Sequence, residues 1–186
     1  MSATNLFIAY HATDNNNIKS IFDEGFHYNY YKYHWLGNGV YFFIDENLAQ
    51  KWGKSHLKQY GQIHNCVILK VTIEVEKDFL CDLRQLDEYC SVKEKFDEYM
   101  EMLSSLSIRF KEDSAEKFYQ RLRCAFFDWL KKEMNLKCVI SYFSERQRTL
   151  PSKIKNEDDF LQFKIPYMEV QLCLYDTSCI TKKEIV

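Results

Sequence analysis

The sequence predicts an α+β fold, because strand-like runs at both ends of the chain enclose a stretch of helical periodicity. Near the N-terminus, Leu6 to His11 is a short apolar run, and Cys66 to Val75 alternates and is rich in Val and Ile. In the middle, Val92, Phe96, Tyr99 and Leu103, then Phe118, Leu122, Ala125, Phe126 and Trp129, recur at helical spacing. Strand patterns return at Lys137 to Phe143 and Tyr167 to Tyr175. At 186 residues, 46% hydrophobic and 16% aromatic, the chain supports one well-buried core, so residues 1–186 are read as one domain.

Each element has a local reason. After the first strand, Asp14 opens a helix with Ile18, Ile21 and Phe22 on one face, and Gly25 ends it. Gly37 to Ile44 reads as a turn and a strand. Asp45 then caps a helix whose inward stripe is Ala49, Trp52 and His56 or Leu57, closed by Gly61. Cys66 to Val75 has the composition of a central strand. Ser91-Val-Lys-Glu94 and Asp113-Ser-Ala-Glu116 both have capping-box spacing, which makes residues 84–135 a helical insertion or layer. Ser144 to Phe160 is charged and irregular, and the last strand starts after Pro166.

Composition excludes several functions. Twenty-five Lys and Arg against 27 Asp and Glu give a net charge of −2, so no global basic field recruits nucleic acid or anionic lipid. The seven Cys form no CxxC pair, and an odd number fits reduced, mostly buried thiols rather than a disulfide framework. No ligand spacing for a metal occurs among the His and Cys. The first residues lack a basic, apolar leader, and no apolar run approaches the ~20 residues of a spanning helix. The expectation is a cytoplasmic protein with no membrane partner.

Two short motifs carry the chemistry. His11-Ala12-Thr13, Asn17, Ile21-Phe22 and Gly25-Phe26 form the first, and Gly37-x-Gly39-Val40-Tyr41-Phe42 the second, with Trp52 eleven residues beyond Tyr41. Together they resemble the ADP-ribosyltransferase superfamily in its poly(ADP-ribose) polymerase-like or diphtheria-toxin-like branch, over roughly the first 55 residues, with a weaker match at 167 to 180. The resemblance implies a split β-sheet core with a helical insertion, and NAD as co-substrate without a metal. It implies that His11 bonds an adenosine-side ribose hydroxyl and that the Ala12 backbone holds the nicotinamide carboxamide. Thr13 adds a hydroxyl to that carboxamide, and Tyr41 and Trp52 enclose the cationic ring. Asn17 belongs to the same cofactor-binding set. Ala12 stands where the family has Gly.

The third corner in the family is a Glu on a late strand. The matching register here places Gln171 at that position, with Glu169 two residues earlier on the same strand face, about 7 Å away. A Gln accepts and donates hydrogen bonds but cannot act as a base, which favours single transfer over polymer elongation. The expected function is a mono-ADP-ribosyltransferase acting on RNA, DNA or protein, in the manner of a compact toxin or defence effector, with a neutralising antitoxin protein as a possible partner. Two alternatives stand beside it: a degenerate NAD- or ADP-ribose-binding module, and an RNA 2′-phosphotransferase of the same fold. The aromatic run His27 to Trp35 is a candidate flap over the dinucleotide. Arg146, Arg148, Lys153 and Lys155 are a candidate phosphodiester contact beside the acidic Glu157, Asp158 and Asp159.

Overall fold

The computed structural model describes residues 3–59, 65–144 and 168–186. Its strands are β1 (Thr4–Asp14), β2 (Val40–Phe43), β3 (Cys66–Glu76), β4 (Leu80–Asp82), β5 (Cys138–Ser144), β6 (Met168–Leu174) and β7 (Ile180–Ile185). Its helices are α1 (Ile18–Asp23), α2 (Glu46–Gln59), α3 (Leu86–Ser105) and α4 (Ala115–Glu133). The strands form one mixed seven-stranded sheet in the order β4-β5-β6-β2-β1-β3-β7, parallel only at β4–β5. The α+β expectation holds at this level.

The sheet has a seam. β1 pairs with β3 along its whole length, from Thr4↔Glu76 to Asp14↔Cys66, and β2 pairs with β6 from Val40↔Leu174 to Phe43↔Gln171. Between them, β1 and β2 share one register pair, Tyr10↔Phe43. Strands meeting at one pair diverge on either side of it, so the β1-β3-β7 half and the β2-β6-β5-β4 half part company there. One face stays continuous: Ala9, Phe42, Leu69, Val71, Ile140 and Leu172 belong to a single buried cluster that also takes Ile21 of α1 and Phe26. The other face is covered in two pieces. α2 packs by Ala49 on Ala12, Phe43 and Ile68, whereas α3 and α4 cover Cys81, Val139 and Cys173 with Val92, Tyr99, Leu122 and Phe126.

Several local expectations need correction. α3 begins at Leu86 after Gln85, so Ser91-Val-Lys-Glu94 lies inside a helix already formed. At α4 the cap is Ser114, whose side chain accepts from the Lys117 amide, one residue after the expected Asp113. Phe22 is exposed under the Lys183 ammonium rather than buried with Ile21. Trp52 is 46% exposed because α2 makes its closest approach at Gly53: a Cβ there would stand 2.6 Å from the Ala12 methyl and 2.7 Å from Cys66 Sγ. With Ala49 and Gly53 against the sheet, Trp52 lies to one side of the contact, its ring 6.3 Å from that of Phe43. The strand at Met168–Leu174 is not the last; β7 follows and pairs with β3. Its run Thr181-Lys-Lys-Glu184 hides the alternation that signals a strand. The caps at Asp14 and Asp45 are present, each accepting a backbone amide two residues on. The expected roles of His56, Leu57 and Gly61, and Arg146 to Asp159, fall outside the described side chains.

Candidate functional site

A cavity of about 680 Å³ opens at the seam, lined from β1 by His11 and Ala12, from β2 by Tyr41 and Phe43, from α2 by Trp52 and from β6 by Gln171. The segment between α1 and β2 supplies His27, Tyr28, Tyr31, His34 and Trp35. The split therefore brings together His11, Ala12, Tyr41, Trp52 and Gln171, which are separate in sequence.

His11 sits where the two halves diverge. Its Nδ1 is 2.8 Å from the Tyr41 carbonyl, a side-chain bond across strands whose backbones no longer pair. The ring packs edge-on against Phe26 at 5.3 Å and against Phe42 at 5.5 Å. Burial lowers its pKa from the ordinary 6.5, against the opposing pull of the Tyr41 carbonyl. A neutral ring that donates from Nδ1 carries its lone pair on Nε2, which makes that atom an acceptor for a hydroxyl.

Tyr41 uses its hydroxyl at home. It accepts from the Leu36 amide at 2.6 Å and donates to the Gly37 carbonyl at 2.9 Å, and burial raises its pKa far from neutrality. Its chemistry toward a ligand is that of an aromatic face. The His34 ring lies on it, with centroids 5.4 Å apart and planes 27° apart, and Tyr31 and Tyr33 extend the ring contacts outward. The glycines beside it answer to packing. Gly37 has φ +75° and faces Phe127 and Asp128 of α4, while a Cβ on Gly39 would meet Cys173 Sγ at 2.7 Å. Asn38 is buried, takes the Asp128 carboxylate on both its amide and side chain, and receives the Lys131 ammonium on its carbonyl. Burial works against the Asp128 charge, but the Lys131 and Asn38 bonds hold its carboxyl below the usual range.

The remaining predicted residues divide. Ala12 is buried, with its methyl against α2, which leaves its backbone as the contact surface. Thr13 is also buried, and its hydroxyl accepts from Asn17 Nδ2 at 3.1 Å; this pair stands behind the strand end and outside the cavity lining. On β6, Gln171 faces the cavity and its side-chain amide donates to the Glu169 carboxylate, so the two candidates for the third corner are joined to each other.

The 27–36 segment is fastened to the helical pair. Glu112 takes the Tyr33 hydroxyl at 2.6 Å, the Lys32 ammonium at 3.0 Å and the Arg121 guanidinium at 2.8 Å. These bonds, led by Tyr33 and then Lys32, push its carboxyl down to about 2. Sequence reading missed this role of the helices because it depends on contacts between distant segments. Among the described residues, no group of three or more His, Cys, Asp or Glu is placed to hold a metal, and no helix is long and apolar enough to cross a membrane. Comparisons with protein-family models, curated proteins and solved structures return no match.

Proposed function

We propose that this protein is an NAD-dependent mono-ADP-ribosyltransferase, with an ADP-ribosyltransferase-like split sheet and its site at the seam. The observation that carries this reading is the convergence of His11, the Ala12 backbone, the Tyr41 ring, Trp52 and Gln171 on one cavity. The two sequence motifs reach that cavity from opposite halves of the sheet.

In this reading the nicotinamide lies between Tyr41 and Trp52 with its carboxamide on the Ala12 backbone. His11 Nε2 accepts a ribose hydroxyl. Cleavage of the nicotinamide–ribose bond passes through an oxocarbenium-like transition state, and nicotinamide leaves with the bonding electron pair. The Glu169 carboxylate, oriented by Gln171, stabilises the positive charge on the ribose, and the acceptor nucleophile forms the new bond at that carbon and gives up its proton. Thr13 and Asn17 act by fixing the end of β1. The setting is that of an intracellular toxin or defence effector held in check by an antitoxin protein.

The test is incubation with NAD labelled in its adenylate half and a cell lysate, followed by separate protease and nuclease digestion. Label that survives protease but not nuclease means a nucleic-acid acceptor, and the reverse means protein. No label and no released nicotinamide would sink transfer. Retained NAD affinity in that case would leave the binding-module reading.

A further inference from the structure

Among the described residues, the cavity lining contains no Lys or Arg. A dinucleotide carries two negative charges at its diphosphate, and burial lowers the pKa of the lining His11 and His34, which keeps both rings from supplying the counter-charge. The cations around the flap are mostly engaged. Lys32 and Arg121 hold Glu112, and Lys131 holds Asp128 and the Asn38 carbonyl.

Arg123 of α4 differs. Its guanidinium carbon lies 3.6 Å from the centroid of the Trp35 ring, and Trp35 is one of the residues that line the cavity. Its Nε and Nη2 are buried, and neither has a hydrogen-bond partner among the described residues. Burial lowers its pKa, the direction expected for a charge whose hydration has been removed without replacement. Stacking on an indole offsets part of that cost, but it leaves the in-plane N–H groups unsatisfied. A half-buried Arg whose Nε and Nη2 fork is unused suits a planar or tetrahedral oxyanion, which it binds through two parallel hydrogen bonds. The shield is a single side chain. Trp35 is 44% exposed and makes an edge contact with Phe143 at 5.6 Å. Arg123 itself does not line the cavity; Trp35, which does, stands over its guanidinium.

We propose that Arg123 is the diphosphate-binding residue of this site, covered by Trp35 until a dinucleotide displaces the ring. The assignment rests on the NAD reading above and adds a residue outside both sequence motifs. The experiment is calorimetric titration of the purified protein with NAD, ADP-ribose and nicotinamide riboside, repeated with Arg123→Gln and with Arg123→Met, which keeps an unbranched stem against Trp35. Loss of a charged hydrogen-bond pair weakens NAD and ADP-ribose by roughly tenfold or more while leaving nicotinamide riboside unchanged. Unchanged NAD affinity in both variants overturns the assignment. Equal weakening of all three ligands, with a lowered melting temperature, overturns it in favour of a structural role. Failure of the unmodified protein to bind any of the three removes the NAD reading itself, a distinguishable result.

Discussion

In the reading proposed above, His11 has two jobs, one for each ring nitrogen. Nδ1 ties the halves of the sheet at the Tyr41 carbonyl, and Nε2 takes a hydroxyl of the ligand. His11→Ala therefore removes a cross-seam bond as well as a ligand contact, and we expect NAD binding to be lost with a fall in stability of about 1–3 kcal/mol in chemical denaturation. Tyr41→Phe separates ring from hydroxyl. It leaves the Leu36 amide and Gly37 carbonyl unpaired, at a cost of about 1–3 kcal/mol, yet keeps the aromatic face, so affinity should survive far better than in Tyr41→Ala. Equal loss in both variants would mean that the hydroxyl matters to the ligand. The lowered pKa of His11 and His34 fixes a pH dependence. As pH falls below about 6.5 the unfolded chain takes up protons that the folded rings refuse, so stability is full above that value and declines below it. The melting temperature should drop between pH 7 and 5.5, and the drop should shrink in a His11→Gln, His34→Phe double variant. The third corner has its own comparison: if Glu169 supports the developing charge, Glu169→Gln should reduce turnover far more than Gln171→Ala, and the opposite order would assign the corner to Gln171.

At the scale of elements, the flap and the helical pair behave as one unit through Glu112. Glu112→Gln removes the charge that Lys32 and Arg121 share, and we expect hydrogen exchange across residues 30–36 to quicken by about tenfold or more. Exchange at the parental rate would show that the Leu36 amide on Tyr41 and the Tyr31 amide, which donates to Asn38 Oδ1 at 2.7 Å, suffice. The elements themselves were unevenly legible. β1, α1 and β2 could be read because their signals are local: an apolar run, an Asp that caps the 3-10 turn Asn15–Asn17 leading into α1, and glycine at the turn before β2. α3 was misplaced at its start because Ser91 and Glu94 mimic a cap from within a helix. Trp52 was assigned inward by period alone, whereas the side of α2 that approaches the sheet is decided by the one glycine that lets it come close. Arg123 gave no sequence signal, because a cation on a helix acquires meaning only from the indole set against it by the fold.

At the scale of the molecule, the helical pair is a wall of the core rather than an appendage. Removing residues 84–135 would expose Cys81, Val139 and Cys173 and free the Gly37-Asn38-Gly39 turn from Asp128. We expect the shortened chain to lack a cooperative thermal transition; a sharp one would show that the sheet and α2 suffice. The seam has a mechanical meaning as well. Because β1 and β2 share one register pair while the buried cluster spans both halves, the line between Tyr10 and Phe43 is where the sheet is held by side chains rather than by its backbone ladder. α2 bridges that line, packing on Ala12 and Ile68 of one half and on Phe43 of the other, with the Trp52 ring 6.3 Å from that of Phe43. We expect a molecule held in the seam cavity to slow hydrogen exchange out to the edge strands, β4 and β7.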